Sequence, residues 1–363
     1  MHVTFLGGAG EYGRSSFLLR TDEQDYLIDC GIAKGQNGAV YPEFHRIDQK
    51  RLKAVFLTHS HDDHTGALGK LAETGWSGPV YASAPTLAQT GPLPDGFYAV
   101  ELKSAAAGSW HAVDKTPYCF GRAGHTEGAC WFLFNVKGET VFFSGDYSMR
   151  STLYPYDLPP EKPVDLAILD GAYGLETRDP EKMEEALLQR LRERMPAAIH
   201  GPLSGKTQEL LVLLTEAGMK VALDPQIRVY TLNSLKKRCD WYTEKGGARL
   251  EAALMRAAAP DQQDQHTAGL YLERTLAGGD LSGSTLFTTG PKLSVFKSGP
   301  YEKVSFFVHP LLRETKALLK RIQPVRTVFT HTSAPEVFLP LSETCVVIAG
   351  VGDTVSVSRS RTG

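Results

Sequence analysis

Cysteine is scarce in this sequence and shows no regular spacing. The 363 residues include only five cysteines, an odd number, and no two of them form a Cys-x-x-Cys pair. A disulfide framework and a cysteine-based zinc site are therefore excluded as organising features of the fold. This usage is typical of a reducing compartment, and we expect the protein to be cytoplasmic.

Long hydrophobic runs and an excess of one charge are also missing. No apolar run reaches the roughly 20 residues of a membrane span. Residues 2–6 have the pattern of a strand, so we expect neither a signal peptide nor membrane contact. The formal net charge of −2 offers no global attraction for nucleic acid. A polyanion would have to be held by a local basic patch or by bound metal ions.

The most informative segment is Thr-His-Ser-His-Asp-Asp-His at residues 58–64. It provides four candidate metal ligands within six residues: His59, His61, Asp63 and His64. Residues 51–58 are predicted to form a buried strand and residues 66–71 a helix, which places the ligands on a tight connecting loop. Imidazole nitrogen and carboxylate oxygen together suit zinc or manganese. The segment therefore predicts a metal site.

Histidine or aspartate recurs downstream, wherever a strand-like run ends or meets a glycine turn. The residues concerned are His125, Asp146, Asp170, His309 and His331. In an α/β scaffold, such side chains gather at one edge of a sheet, where binding sites commonly lie. Asp29 ends an earlier strand and is suited to accept the free N–H of a ligating histidine. We expect these residues to complete the metal site.

Two glycine-containing segments resemble nucleotide-binding loops only in part. Residues 8–13 match G-x-G-x-x-G, but a strand is predicted after them where that motif requires a helix. We expect a turn that lets the backbone approach the metal pocket. Residues 201–207 have three residues between their glycines instead of the four of a P-loop, which excludes that motif. Lys206 and the basic residues 236–238 could contact phosphates or simply form solvated helix faces.

The ordered ligands, His59-x-His61-x-Asp63-His64 followed by His125 and Asp146, resemble those of the metallo-β-lactamase superfamily. Asp170, His309 and His331 resemble the added motifs of its β-CASP branch. The resemblance covers nearly the whole chain. Proline after His309, Gly-Ala after Asp170 and threonine after His331 depart from the branch's usual residues, but none of these is a candidate ligand.

This resemblance implies an α/β fold, namely a four-layered αββα metallo-β-lactamase core with an inserted α/β β-CASP cap. The core would comprise residues 1–174 and 305–363 and the cap residues 175–304, with the active site where the two meet. A change in pattern near residue 175, where helices and parallel strands begin to alternate, agrees with this division. Known members of the branch are nucleases.

The resemblance also implies a role for each site residue. One metal ion would be held by His59, His61, His125 and Asp146, and the second by Asp63, His64, Asp146 and His331. We expect zinc, with manganese as the alternative. Asp63 would also orient the hydroxide that the two metals activate. His309 would stabilise the phosphoryl charge or protonate the leaving oxygen, and Asp170 would favour its imidazolium form.

The expected activity is hydrolysis of RNA phosphodiesters, and the closest alternative is the same chemistry on DNA. A lactonase, thioesterase or other small-molecule hydrolase is a different enzyme class, and the cap and His309 argue against it. A catalytically inactive scaffold is a third alternative, but all seven candidate ligands are present. A nucleic acid is therefore the expected partner, RNA before DNA, and a homodimer is left open.

Overall fold

The computed structural model describes residues 1–237, 240–259, 264–278, 283–289 and 301–357. The chain divides into two compact units. The first contains Met1–Arg150, Pro155–Thr177 and His309–Gly363, and the second contains Ser151–Tyr154 and Arg178–Val308. The sequence predicted a core of residues 1–174 and 305–363 and a cap of residues 175–304. That assignment to functional domains stays a prediction.

Two seven-stranded sheets form the first unit. The first sheet has the order β21 (Thr354–Ser356), β1 (His2–Gly7), β2 (Ser16–Arg20), β3 (Asp25–Ile28), β6 (Leu52–Phe56), β7 (Gly78–Ser83) and β8 (Phe97–Leu102). The second has the order β20 (Cys345–Val346), β19 (Arg326–Thr330), β13 (Leu166–Asp170), β12 (Glu139–Phe143), β11 (Cys130–Val136), β10 (Thr116–Arg122) and β9 (Trp110–Val113). A separate hairpin consists of β4 (Ala33–Gly35) and β5 (Gly38–Val40).

Aromatic side chains fill the space between the two sheets. Phe56 of the first sheet lies 5.4 Å from Phe132 and 5.1 Å from Phe134 of the second, measured between ring centroids. Tyr26 stacks on Phe134 at 6.0 Å. Side chains alternate across a strand, so Val55 and Leu133, the neighbours of Phe56 and Phe132, point to the opposite faces of their sheets. Both belong to buried apolar clusters, so these faces must be covered by helices.

Helices cover both outer faces. They are α2 (Leu68–Glu73), α3 (Ala84–Thr90) and α9 (Leu312–Ile322). The short helix α1 (Asp62–Thr65) precedes α2, and short 3-10 turns lie at Phe44–Arg46, Ser104–Ala106 and Pro335–Phe338. Leu68 and Leu71 of α2 pack with Val55 and Val80 of the first sheet. The apolar stripe of α9 packs on the second sheet, and Glu314 accepts a hydrogen bond from the Leu311 N–H at its start (2.8 Å). The predicted αββα arrangement is confirmed.

The second unit is an α/β structure with a five-stranded parallel sheet. Its order is β15 (Lys220–Leu223), β16 (Thr267–Tyr271), β14 (Ala197–His200), β17 (Thr285–Thr288) and β18 (Tyr301–Lys303). The helices are α4 (Pro180–Glu193), α5 (Lys206–Glu216), α6 (Pro225–Lys236), α7 (Glu244–Arg256) and α8 (Glu273–Gly278). Asp179, Asp224 and Thr243 cap α4, α6 and α7 through their side chains, as such residues at helix starts commonly do. The predicted change to an alternating α/β pattern near residue 175 is confirmed.

One predicted strand is wrong. The apolar residues 304–308 before His309 are not in a strand, and the strand of this region, β18, covers Tyr301–Lys303. A short apolar run specifies burial, and Phe306, Phe307 and Val308 are indeed buried, but it does not specify pairing with a neighbouring strand. Within the described residues, no helix is both long and apolar enough to cross a membrane.

Candidate metal centre

The segment after β6, residues 57–65, carries four of the candidate ligands and is called the ligand loop below. His59 and His61 lie on its irregular part, whereas Asp63 and His64 lie in the short helix α1, so the prediction that all four ligands lie on a connecting loop is wrong for these two. Backbone hydrogen bonds hold this segment in place. The amides of Ser15, Cys30 and Ile32 donate to the carbonyls of Asp63, His64 and Asp62 at 2.8, 2.8 and 3.0 Å. Gly31 passes directly beneath, and a Cβ atom there would overlap the Asp63 carbonyl oxygen. The absence of a side chain at residue 31 therefore allows the close approach that fixes the ligand loop.

Asp29 lies buried under this loop and has a positive φ of 59°. Its carboxylate accepts hydrogen bonds from the Thr58 N–H (2.7 Å), the Thr58 hydroxyl (2.8 Å) and His64 Nδ1 (2.7 Å). Burial raises the pKa of Asp29 from its usual value, although these hydrogen bonds oppose the shift. Because Nδ1 of His64 is hydrogen-bonded to Asp29, the other ring nitrogen of His64, Nε2, faces the remaining candidate ligands.

His64 Nε2 lies 3.4 Å from Asp146 Oδ1 and 3.9 Å from Asp63 Oδ2. Burial opposes a charge on His64, but the surrounding carboxylates, Asp146 first among them, hold the pKa of its imidazole well above the ordinary value. Burial also tends to raise the pKa of Asp146, but His331 and His64 hold it well below the usual range. A proton on His64 thus balances the buried carboxylates around it.

Three histidines form one face of the cluster. His59 Nε2 and His125 Nε2 lie 3.1 and 3.4 Å from His61 Nδ1. Asp146 Oδ2 is 3.7 Å from His59 Nε2 and 3.8 Å from His125 Nε2. Complete burial holds the pKa of His59 well below its ordinary value, which leaves the imidazole neutral, the form that binds metals.

His331 forms the other face, together with Asp63 and His64. It follows β19, has a φ of 57° and donates its backbone N–H to the Gly8 carbonyl (3.1 Å). Its Nδ1 lies 3.7 Å from Asp63 Oδ2 and 4.0 Å from Asp146 Oδ1. This nitrogen is buried, and among the described residues it has no hydrogen-bond partner.

These observations fit divalent metal ions. Each of four overlapping groups of three has its ligand atoms within 4.8 Å of one another, and together they contain all seven predicted metal ligands. A buried imidazole nitrogen without a hydrogen bond is costly unless another partner binds it, and a metal ion is such a partner. The donor set of imidazole and carboxylate is the one that zinc and manganese accept.

His309 lies beside the cluster and contacts Asp170. Its Nδ1 donates to Asp170 Oδ2 over 2.8 Å, and its ring stacks on His331 with centroids 5.2 Å apart. Asp170 is held in place by the Ala172 N–H, which donates to Oδ1 at 2.9 Å. His309 also forms a possible ligand group with His125 and Asp146, a role that the sequence did not suggest.

The structure therefore brings every predicted site residue into one cluster in the first unit. Sequence reasoning missed Thr58, which joins Asp29 to the ligand loop, and Tyr12 and Tyr173, whose rings contact His331 and His309. Their position next to motif residues was the available signal. Lys206, Lys236 and Lys237 belong to the second unit, and Arg238 lies outside the described residues.

An αββα sandwich with a cluster of histidines and aspartates is the arrangement of a metal-binding class of protein. Residues 9–199, more than half of the chain, match the family model described as the metallo-beta-lactamase superfamily. The chain belongs to that superfamily.

Three similar relatives bear the names of nucleic-acid proteins. Transcription termination factor FttA of Methanosarcina mazei is 31% identical over 266 residues, covering 63% of this chain and 41% of the relative. Ribonuclease TTHA0252 of Thermus thermophilus is 31% identical over 192 residues, covering 48% and 44%. Cleavage and polyadenylation specificity factor subunit 3 of Dictyostelium discoideum is 27% identical over 272 residues, covering 66% and 35%. The chain thus spans less than half the length of these relatives.

A solved structure shares the fold. The crystal structure of a protein of unknown function from Enterococcus faecalis V583 superposes with a TM-score of 0.62 at 13% identity, covering 98% of this chain and 99% of the other. The resemblance to the superfamily and to its β-CASP branch, drawn from the sequence motifs, is confirmed by these comparisons.

Proposed function

We propose that this protein is a metal-dependent phosphodiesterase that cleaves RNA. The observation that carries the proposal is the His309–Asp170 pair, joined at 2.8 Å and lying beside the His/Asp cluster. Metal ligands alone would serve many hydrolases. A partly exposed histidine held by a buried carboxylate adds a proton donor for a poor leaving group such as a ribose oxygen.

The cluster divides naturally between two ions. His59, His61 and His125 with Asp146 would hold one, and Asp63, His64 and His331 with Asp146 the other. Two divalent ions supply an activated water at neutral pH and neutralise the charge on the phosphoryl oxygens. Zinc is the ion we propose, with manganese as the alternative.

The remaining steps fall to the protein's own side chains. Asp63, whose side chain is 31% exposed, would orient the attacking water and accept its proton. His309 would give a proton to the leaving oxygen from Nε2, because Nδ1 is bonded to Asp170. Asp170 would favour the charged imidazole, and Asp29 would keep His64 in the orientation that presents Nε2.

RNA is proposed over DNA because relatives of this chain are named a ribonuclease and endoribonucleases. The domain division at residues 175 and 304 belongs to the same proposal. A cytoplasmic location is also proposed, and it agrees with the free thiols of Cys30, Cys119, Cys130 and Cys345. A homodimer is proposed as well, and light scattering would test it.

The proposal is tested by a paired nuclease assay. Metal-loaded protein and its His61→Ala and His309→Ala variants receive end-labelled single-stranded RNA and DNA of one sequence, with and without a 5′-monophosphate. We expect RNA cleavage that both variants lose, with metal content kept by His309→Ala alone. Cleavage of DNA alone would favour the DNA alternative. Hydrolysis of a generic ester with no cleavage of either polymer would refute the proposal.

A further inference from the structure

Four aromatic rings form a row along the rim of the candidate metal centre. Tyr12 meets His331 edge to face with centroids 5.9 Å apart. His331 stacks on His309 at 5.2 Å, and Tyr173 meets His309 edge to face at 5.2 Å. The row thus begins and ends in a tyrosine, and its two middle members are candidate site residues.

Tyr12 is the exposed end of this row. Its side chain is 55% exposed, and among the described residues its hydroxyl has no hydrogen-bond partner. A single exposed aromatic residue is ordinary on a protein surface. This one differs because its ring contacts a histidine whose Nδ1 faces the metal centre.

The loop that carries Tyr12 is held firmly in place. On one side of it, Glu11 accepts hydrogen bonds from the Gly8 N–H (2.9 Å) and from Arg14 Nε (2.8 Å) and Nη2 (2.9 Å). On the other, Gly13 has a φ of 74°, and a Cβ atom there would lie 3.4 Å from the Asp63 Cβ. The backbone on both sides of Tyr12 is therefore fixed and lies close to the ligand loop, so little backbone entropy would be lost when a ligand binds the ring.

We propose that Tyr12 is a stacking platform for a nucleobase adjacent to the phosphate that is cleaved. This inference rests on the proposed function and deepens it, because it assigns an unpaired, single-stranded polynucleotide as the substrate. Stacking on a tyrosine needs an open base face, which a duplex does not offer next to the scissile bond. Every base has such a face, so the contact would tolerate any sequence.

The test uses oligoribonucleotides with one ordinary phosphodiester among phosphorothioate linkages, so that the cleavage position is fixed. The bases flanking that linkage are either present or replaced by abasic residues. We expect Tyr12→Ala to lower kcat/KM by about 5- to 150-fold on the substrate with bases, mainly through KM, as loss of one stacked base predicts. On the abasic substrate the difference from wild type should vanish.

Two variants serve as controls. Tyr12→Phe keeps the ring and should stay close to wild type. Tyr98→Ala removes a tyrosine of similar exposure, 59%, from the edge strand β8 and should change nothing. An equal loss for Tyr12→Ala with and without bases, or no loss at all, would overturn the proposal.

A second readout is independent of cleavage. Metal-free protein in chelator is titrated with single-stranded RNA containing 2-aminopurine, whose fluorescence is quenched by stacking. Quenching by wild type and Tyr12→Phe but not by Tyr12→Ala supports the platform, and equal quenching by all three contradicts it. If wild-type protein cleaves no polymer, the proposed function fails, and with it the placement of the base next to a cleaved phosphate. The titration then still decides whether Tyr12 stacks on a nucleobase.

Discussion

At the scale of single residues, Asp29 links the buried interior to the ligands. It belongs to none of the candidate ligand groups found among the described residues, yet it joins Thr58 and His64 through three hydrogen bonds of 2.7–2.8 Å. Its left-handed φ of 59° is one that aspartate and asparagine adopt more readily than other side chains. The left-handed backbone of Asp29 thus accompanies a carboxylate that orients the imidazole of His64.

Replacing Asp29 by asparagine is expected to weaken metal binding about 10- to 100-fold, because an amide NH₂ would face His64 Nδ1 in place of an acceptor. The measurement is a competition titration of zinc against a chromophoric chelator. Asp165→Asn is a matched control, since Asp165 also accepts from a threonine N–H and hydroxyl, those of Thr140, outside the metal centre. Equal affinities in both variants would contradict the role given to Asp29.

At the scale of elements, the connection between β3 and β4 supports the ligand loop by close backbone contact. Gly31→Ala would place a methyl group on the Asp63 carbonyl. We expect a destabilisation of roughly 1–3 kcal/mol from overpacking, together with loss of metal. Thermal melting and metal analysis measure both effects.

Gly69→Ala provides the control for this experiment. Gly69 lies in α2, and a Cβ atom there would meet nothing within 4 Å. Alanine favours a helix over glycine by roughly 0.5–1 kcal/mol, so this variant should be slightly more stable than wild type and keep its metal. Metal loss in both variants would show that the ligand loop responds to any glycine substitution nearby.

Helix α5 carries an unfavourably placed charge. Lys206 is its first residue, where the helix dipole disfavours a cation, and burial lowers the pKa of its ammonium to about 8. The folded state therefore binds this proton less tightly than the unfolded state does. The resulting cost to stability is complete below pH 8 and disappears as the pH rises toward 10.5, the ordinary value.

Lys206→Met should accordingly be more stable than wild type at pH 7, with an advantage that shrinks between pH 8 and 10.5. Urea unfolding at a series of pH values measures the difference. Lys182→Met, which removes a lysine from the exposed face of α4, is the matched control. An advantage that is constant with pH would refute the burial of the charge.

At the scale of the whole molecule, metal binding and folding are linked. In metal-free protein, the positive charge of protonated His64 balances the buried carboxylates around it. Bound metal ions would supply that positive charge instead. Ions that bind only the folded state stabilise it by about 2.7 kcal/mol at a concentration 100 times their dissociation constant. Chelation is therefore expected to lower the melting temperature and zinc to restore it.

The stoichiometry of the metals follows from the two faces of the cluster. Elemental analysis should find two ions per chain in wild type and one in His331→Ala, because His331 belongs to only one face. His45→Ala, at an exposed histidine outside the cluster, should keep both ions. One ion in wild-type protein would contradict the assignment of two sites.

The sequence by itself determined the chemistry of the site and much of the scaffold. His59, His61, Asp63 and His64 are neighbours in one short segment that runs from β6 into α1, so their proximity is a local property. The strands that end at Asp170 and directly before His331 are short apolar runs with polar ends, a pattern that favours a buried strand.

Only the tertiary structure decided which distant residues meet. Asp170 lies beside Thr330, the residue before His331, because β13 and β19 pair in parallel register, and a one-residue shift would turn those side chains to the opposite face. The hydrogen bond between Asp170 and His309 joins residues 139 positions apart. The segment directly before His309 is not a strand, so strand pairing does not place this histidine. Local propensity contains no information about such pairings, which depend on how sheets and helices pack together.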